Sequence, residues 1–306
     1  MDQKKNLFHD ILPVLLMGCL FIIIQGLALL VVGPFESAGM QAFKETDDPV
    51  NLVIIFAILL GITAIILFIA KYWKKQVIQF IILGAVGYTA YWVFRPLLML
   101  TVSELIAILI SAILAVLLAI ILYKFPEWYV IDICGIIVGA GAIAIFGISL
   151  GILLVIILLI GLAIYDALSV YKTKHMIDLA DTVMDLKLPV LLVIPKIRNY
   201  SLIKETKSLK EKLKDGEERD AFFMGLGDVV MPGILVAAAY YFIEDGLPIA
   251  FGVMIGTLIG FAILMTFVMK GKPQAGLPLL GGGAILGYVV ASYIKFGVLA
   301  GLNFSL

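Results

Sequence analysis

Apolar runs long enough to cross a bilayer recur along almost the whole chain, and they limit the fold more than any other feature. A spanning helix needs roughly 20 apolar residues, and 63% of the 306 residues are hydrophobic while 14% are charged. That content would supply about nine spans. Charged or turn residues divide the runs into approximate spans at 11–32, 51–70, 76–94, 104–123, 129–147, 150–170, 221–243, 248–269 and 277–296. Because an open sheet in lipid leaves backbone groups unpaired, we predict an all-α, nine-helix membrane protein.

The basic residues predict the orientation of these spans. With the N-terminus in the cytoplasm, 19 of the 22 Lys and Arg residues lie on the cytoplasmic side, and only Lys44, Arg95 and Lys295 lie on the other. Cytoplasmic loops of membrane proteins carry such an excess. We therefore predict a cytoplasmic N-terminus and an extracytoplasmic C-terminus, with the cell membrane as the expected location. Acidic residues also number 22, and this balance argues against a nucleic-acid partner.

One long hydrophilic stretch, residues 171–220, divides the chain. It separates a first part with six spans, 1–170, from a second part with three, 221–306. Its second half has the charge density of a solvated helix or a linker. Within the stretch 171–220, the segment Leu188–Ile197 is apolar but too short to span a membrane. This segment could lie on the membrane surface as a loop, pair as a strand, or act as a cleavage or gating segment.

Two carboxyl groups, Asp166 and Asp228, lie well inside predicted spans. An ionisable group at that depth costs at least a few kcal/mol, so a function is expected. At 1.5 Å per residue, Asp166 lies roughly 8 Å and Asp228 roughly 11 Å from the same cytoplasmic boundary. The two helices run in opposite directions on either side of the long loop. Their carboxyl groups can therefore face each other at one depth.

Two carboxyl groups a few ångströms apart in a low dielectric cannot both ionise, so the pair shares one proton. This arrangement supports aspartic protease chemistry. The ionised member activates a water molecule, the protonated member donates to the scissile carbonyl oxygen, and the roles then exchange. No metal or other cofactor is needed.

Glycines stand directly before the second carboxyl group. Gly225 and Gly227 flank Leu226, and a glycine inside a helix costs about 1 kcal/mol relative to alanine. Beside an intramembrane aspartate, we expect the missing side chains to let water or another backbone approach. Helix packing is the alternative explanation.

Other polar and small residues in the spans have simpler explanations. Gly135 and Gly139 form a small-xxx-small pair, which predicts close helix packing. Asp132 and Glu104 lie near predicted span ends, so we expect both at the membrane interface.

Three short motifs carry a resemblance to a known family. They are Tyr165-Asp166, Gly225-Leu226-Gly227-Asp228 and Ala275-Gly276-Leu277-Pro278. In this order they resemble the YD, GxGD and PAL signatures of the presenilin and signal peptide peptidase family. The resemblance implies that Asp166 and Asp228 are the catalytic pair and that the other motif residues contribute to substrate binding. It also implies that the substrates are transmembrane helices of other membrane proteins.

The third motif departs from the family pattern, because Ala275-Gly276 stands where the family has Pro-Ala. A missing proline frees the turn, which affects substrate choice more than aspartate chemistry. The cytoplasmic loop before the seventh span resembles presenilin, whereas signal peptide peptidases look inverted. Homo-oligomers and helper subunits both remain open.

Other functions use the same residues or different ones. A proton-coupled transporter or cation leak could carry protons on Asp166 and Asp228, and a scaffold would need no catalysis. Zinc and serine proteases need histidine at membrane depth. His9 and His175 are the only histidines, and both lie outside the apolar runs, so metal and serine mechanisms are excluded.

Overall fold

The computed structural model describes residues 2–72, 75–173, 191–197, 200–203, 220–269 and 274–302. Within these ranges the chain forms nine α-helices, each on one of the predicted spans. The helices are α1 (Asp2–Ser37), α2 (Val50–Tyr72), α3 (Lys75–Met99), α4 (Glu104–Lys124), α5 (Trp128–Gly147), α6 (Ile152–Leu168), α7 (Leu226–Phe242), α8 (Leu247–Val268) and α9 (Leu277–Phe296). Most of the predicted hydrophilic loop lies outside the described residues.

Seven of the described helices are long and apolar enough to cross a membrane. The other two apolar segments, Val50–Ile62 within α2 and all of α7, are shorter. Large side chains such as Leu30, Ile113 and Ile294 are exposed on the outside of the bundle, as expected for surfaces that contact lipid. The chain is therefore an integral, multi-pass membrane protein.

A two-stranded antiparallel sheet adds to the helical prediction. Strand β1 (Leu191–Pro195) pairs with β2 (Ala221–Gly225), with Leu191 opposite Gly225 and Pro195 opposite Ala221. The prediction that the helix spans all of 221–243 is therefore wrong for its first five residues. An apolar run of this length suits a strand as well as a helix, and β1 supplies the hydrogen-bond partners that β2 needs.

Helix α7 occupies the centre of the bundle. Every residue from Pro232 to Ala239 is buried, and α7 contacts α1, α5, α6, α8 and α9. Small side chains, including the Ala237–Ala239 run, let these neighbours approach closely. The helix that carries Asp228 is thus held by protein on most sides.

Glycines bring several helices into close contact. A Cβ on Gly139 would lie 3.2 Å from Ile24 of α1 and 3.2 Å from Leu226 of α7, so the predicted packing role of this residue is confirmed. In α8, Gly256 faces the backbone of Gly283 and Gly287 in α9 so closely that any side chain would collide. Helix α9 is thereby fixed against α8, and its first turn reaches the region of the two aspartates.

Candidate active site

Asp166 lies in the last turn of α6, with only 4% of its surface exposed. Its Oδ2 accepts a hydrogen bond of 3.0 Å from the backbone N–H of Leu277. The start of α9 therefore satisfies a polar group that would otherwise be buried among the apolar residues of α6.

Asp228 is the third residue of α7, and Gly225 is the residue that caps the helix. A Cβ on Gly225 would lie 3.3 Å from Oδ2 of Asp228, so the carboxyl group faces the start of its own helix. A carboxylate in a first helical turn also interacts favourably with the helix dipole. Asp228 is therefore in the first turn, not two turns into a helix as the sequence suggested, because β2 covers the preceding residues.

The turn before α9 brings the two aspartates together. A Cβ on Gly276 would lie 3.3 Å from Oδ2 and 3.4 Å from Oδ1 of Asp228, while the next residue, Leu277, binds Asp166. The two carboxyl groups are near enough to interact electrostatically. The structure thus places Asp166, Asp228 and Gly276 in one cluster, as the sequence predicted.

The two glycines of the GLGD motif leave space beside Asp228. A Cβ on Gly225 would lie 3.3 Å from Oδ2 of Asp228, whereas a Cβ on Gly227 would meet nothing within 4 Å. Leu226, between them, is buried and packs against Gly135 and Gly139 of α5. Leu226 therefore anchors the motif, while the glycines keep one side of it open.

The remaining predicted residues differ in their positions. Ala275 is buried, and Leu277 and Pro278 begin α9, where the fixed φ of proline suits the first helical turn. Tyr165 is 44% exposed, so its side chain faces the surface while the neighbouring Asp166 faces inward. Of the predicted binding residues, Tyr165 is the one that the structure does not bring to the interior of the site.

Sequence reasoning missed two contacts near the site. The Tyr171 hydroxyl donates to Gln274 at 2.7 Å, a second link between the end of α6 and the turn before α9. Asp132 of α5 is 5% exposed, and its Oδ1 accepts a hydrogen bond of 2.8 Å from the Val193 N–H of β1. The expected contact of Asp132 with the membrane interface is not observed, because its side chain is buried in the protein and a strand amide is its partner.

Comparisons with known proteins decide the family. A family model described as signal-peptide peptidase, presenilin aspartyl protease matches residues 18–298. The chain belongs to this family. A solved structure of a presenilin family intramembrane aspartate protease in a C222 crystal form is 34% identical, with a TM-score of 0.69 over 92% of this chain and 100% of that one.

A second solved structure, of a presenilin family intramembrane aspartate protease in a P2 crystal form, is 35% identical with a TM-score of 0.69. It covers 93% of this chain and 99% of that one. No curated protein sequence matches the chain. These relatives confirm the predicted presenilin-like resemblance and identify the chain as an intramembrane aspartic endopeptidase.

Proposed function

We propose that this presenilin-family protease hydrolyses peptide bonds inside transmembrane segments of other membrane proteins, using Asp166, Asp228 and a bound water molecule. The observation that carries the proposal is the contact of one turn, Gly276-Leu277, with both carboxyl groups. A cluster of two carboxyl groups beside one turn, with a backbone amide bound to Asp166, has the composition that aspartic proteolysis needs.

In the proposed reaction, Asp166 is the general base. The backbone N–H of Leu277 donates to it at 3.0 Å, and such a charge-assisted hydrogen bond stabilises an ionised carboxylate. Asp166 takes a proton from the water molecule as the oxygen of that water attacks the scissile carbonyl carbon. Asp228, protonated, donates its proton to the carbonyl oxygen. When the C–N bond breaks, Asp166 gives its proton to the leaving amine nitrogen. Asp228 takes a proton from a hydroxyl group of the tetrahedral intermediate as the carbonyl re-forms, so the pair again holds one proton.

The two-stranded sheet of β1 and β2, called the hairpin from here on, precedes Asp228 and suggests how the substrate is held. A helix in lipid has all its backbone groups paired, so it must unwind before cleavage. An unwound segment can regain partners by adding to the edge of a sheet. The apolar segment Leu188–Ile197, for which strand pairing was one predicted role, overlaps this sheet: residues 188–190 lie outside the described residues, and Leu191–Pro195 form β1.

The hydrogen-bond pattern of the hairpin favours the edge of β2. The Lys196 N–H donates to the Asp220 carbonyl at 2.8 Å, so residues 196 and 220 form a hydrogen-bonded pair. Hydrogen-bonded and non-hydrogen-bonded pairs alternate along an antiparallel ladder. The N–H groups of Val193 and Phe223, which oppose each other, therefore point away from the partner strand. On β1 the outward amide of Val193 is bound by Asp132. On β2 the outward residues are Ala221, Phe223 and Gly225, and in the described part of the chain no further strand pairs with them.

The outward edge of β2 leads directly to the proposed catalytic pair. Gly225, whose N–H faces outward, lies beside Asp228, since a Cβ on Gly225 would be 3.3 Å from Oδ2 of Asp228. A substrate strand added along Phe223 would therefore pass its next residues beside Asp228. We propose that β2 aligns the unwound substrate in this way.

Cleavage of a reporter transmembrane peptide by the purified protein in detergent tests the proposed pair. We expect Asp166→Asn and Asp228→Asn each to lower cleavage by about 10⁴-fold or more, because catalytic groups that act as a unit are lost together. Mass spectrometry should place the parent's cuts within the apolar stretch. Glu244→Gln, which alters an exposed carboxyl group between α7 and α8, is the matched control and should cleave normally.

The transporter alternative gains no support from the comparisons, since the matched proteins are described as proteases. It makes a separate prediction in liposomes. A parent protein that cleaves none of several reporters but conducts ions through Asp166 and Asp228 would reject the proposed hydrolysis.

A further inference from the structure

Asp132 is a buried carboxyl group that the proposed reaction does not use. It lies on the face of α5 that contacts β1, and its Oδ1 accepts a hydrogen bond of 2.8 Å from the Val193 N–H. Val193 is the central residue of β1 and is itself 1% exposed. Its N–H points away from β2, so the carboxyl group occupies the one edge of β1 that the hairpin leaves unpaired.

The same face of α5 continues toward the proposed catalytic residues. Gly135 lies nearly one helical turn after Asp132, and a Cβ there would lie 3.0 Å from Leu192 of β1 and 3.7 Å from Leu226. Leu226 is the first residue of α7 and precedes Asp228 by two positions. One helix face therefore contacts both the strand and the start of the helix that carries Asp228.

From this arrangement we propose that Asp132 is a positioning residue for cleavage. By binding Val193 it fixes β1 on α5. Because β1 pairs with β2 and β2 ends at the residue that caps α7, this bond fixes the register of the hairpin relative to Asp228. It also closes the outer edge of β1, which leaves the β2 edge for a substrate. The inference rests on the proposed function, and Asp132 acts through the backbone without touching the reacting atoms.

A purely structural role predicts a different outcome from a positioning role. Loss of stability alone lowers the amount of active enzyme but leaves KM and the bonds that are cut unchanged. Loss of positioning changes the register of a bound strand relative to Asp228, so KM rises and the cuts spread to neighbouring bonds. The choice of bond and the split between KM and kcat therefore separate the two roles.

The test compares Asp132→Leu, which removes the acceptor, with Asp132→Asn, which keeps an oxygen acceptor of the same reach. For Asp132→Leu we expect kcat/KM to fall by about tenfold, the size expected for a lost buried hydrogen bond, with cuts at additional bonds. Asp132→Asn should restore the parental cuts. Asp132→Leu that cuts the same bonds with parental KM would overturn the inference.

Hydrogen exchange measured by mass spectrometry provides a readout that does not depend on activity. Asp132→Leu should speed exchange in a peptide that covers residues 191–195, and unchanged exchange there would overturn the inference. Glu127→Leu is the matched control, because it removes the carboxyl group at the start of the same helix that binds the Leu202 N–H at 3.0 Å and the Ser201 hydroxyl at 2.6 Å. It should affect exchange at 200–203 and leave 191–195 and the cut positions unchanged.

Two further comparisons separate failure of this inference from misfolding of a variant and from failure of the proposed function. If Asp132→Leu does not fold, Val193→Pro removes the donor instead, at an outward position of the kind that proline tolerates, and the same altered cuts are expected. A parent protein without any cleavage would refute the proposed function, and the exchange measurement would still decide whether Asp132 holds β1. A cleaving parent, an inactive Asp228→Asn and an Asp132→Leu indistinguishable from the parent would refute this inference alone.

Discussion

At the scale of single residues, Gly276 has the closest relation to both proposed catalytic groups. The N–H of the next residue, Leu277, donates to Asp166, and a Cβ on Gly276 would lie 3.3–3.4 Å from the carboxyl oxygens of Asp228. That spacing is tight for a methyl group but leaves no collision. The glycine thus keeps about one methyl group of free space beside the carboxyl group, where a water molecule or a substrate carbonyl can approach.

Filling that space should slow cleavage without unfolding the protein. We expect Gly276→Ala to lower kcat/KM by about tenfold, since displacement of a reacting group by less than 1 Å has effects of this order. Gly276→Val should lower it further. The measurement is reporter cleavage together with thermal unfolding in detergent. Gly282→Ala in α9, where a Cβ would meet nothing within 4 Å, is the control, and full activity in Gly276→Val would contradict the prediction.

The sequence predicted some of these residues better than others, for a physical reason. Asp166 and Asp228 were predictable because a carboxyl group within an apolar run is conspicuous. Asp132 was not, because its partner, Val193, is 61 residues away and a backbone N–H leaves no mark in a sequence. Its position between apolar residues on the same face as Gly135 was the only available signal.

At the scale of secondary structure, the edge of β2 is the element that the proposed mechanism depends on most. Its outward amide at Phe223 lies on the opposite edge from the ladder with β1. Periodicity did not predict this strand, because Ala-Phe-Phe-Met is apolar on both faces and continues into an apolar helix. The pairing of β2 depends on residues 191–195, which lie inside the long hydrophilic stretch and are not adjacent to β2 in the sequence. The nine helices were predictable because each depends on its own residues.

Removing the outward donor of β2 tests its role in substrate alignment. Phe223→Pro lacks this N–H but keeps the hydrogen bonds of the β1 ladder, which use the flanking residues. We expect a rise in KM of about tenfold, the effect of one lost hydrogen bond to the substrate backbone. Phe223→Leu changes the side chain and keeps the N–H, so it is the control. Equal KM values for the two variants would reject strand addition at this edge.

At the scale of the whole molecule, the charges define two ends. The hairpin and the two aspartates lie at the end that the basic residues predict to be cytoplasmic. At the other end, two of the three basic residues have acidic neighbours: Arg95 lies 2.9 Å from Glu104, and Lys295 lies 3.9 Å from Asp245. These pairs offset the positive charge on that side.

Labelling of single cysteines in intact cells tests this orientation. Cys19 and Cys134 are first replaced, since both are free thiols, and a cysteine is then introduced as Ser208→Cys in the long loop or Glu244→Cys between α7 and α8. A membrane-impermeant maleimide should label Glu244→Cys in intact cells and Ser208→Cys only after lysis, because the basic loop favours the cytoplasm.

The orientation determines which part of a substrate leaves on which side. With the hairpin in the cytoplasm, cuts made beside Asp228 fall in the cytoplasmic part of a substrate span and release its cytoplasmic fragment. Labelling of Ser208→Cys in intact cells would reverse this geometry. It would place the carboxyl pair near the outer face and reject the presenilin-like orientation, while the aspartate chemistry itself would be unaffected.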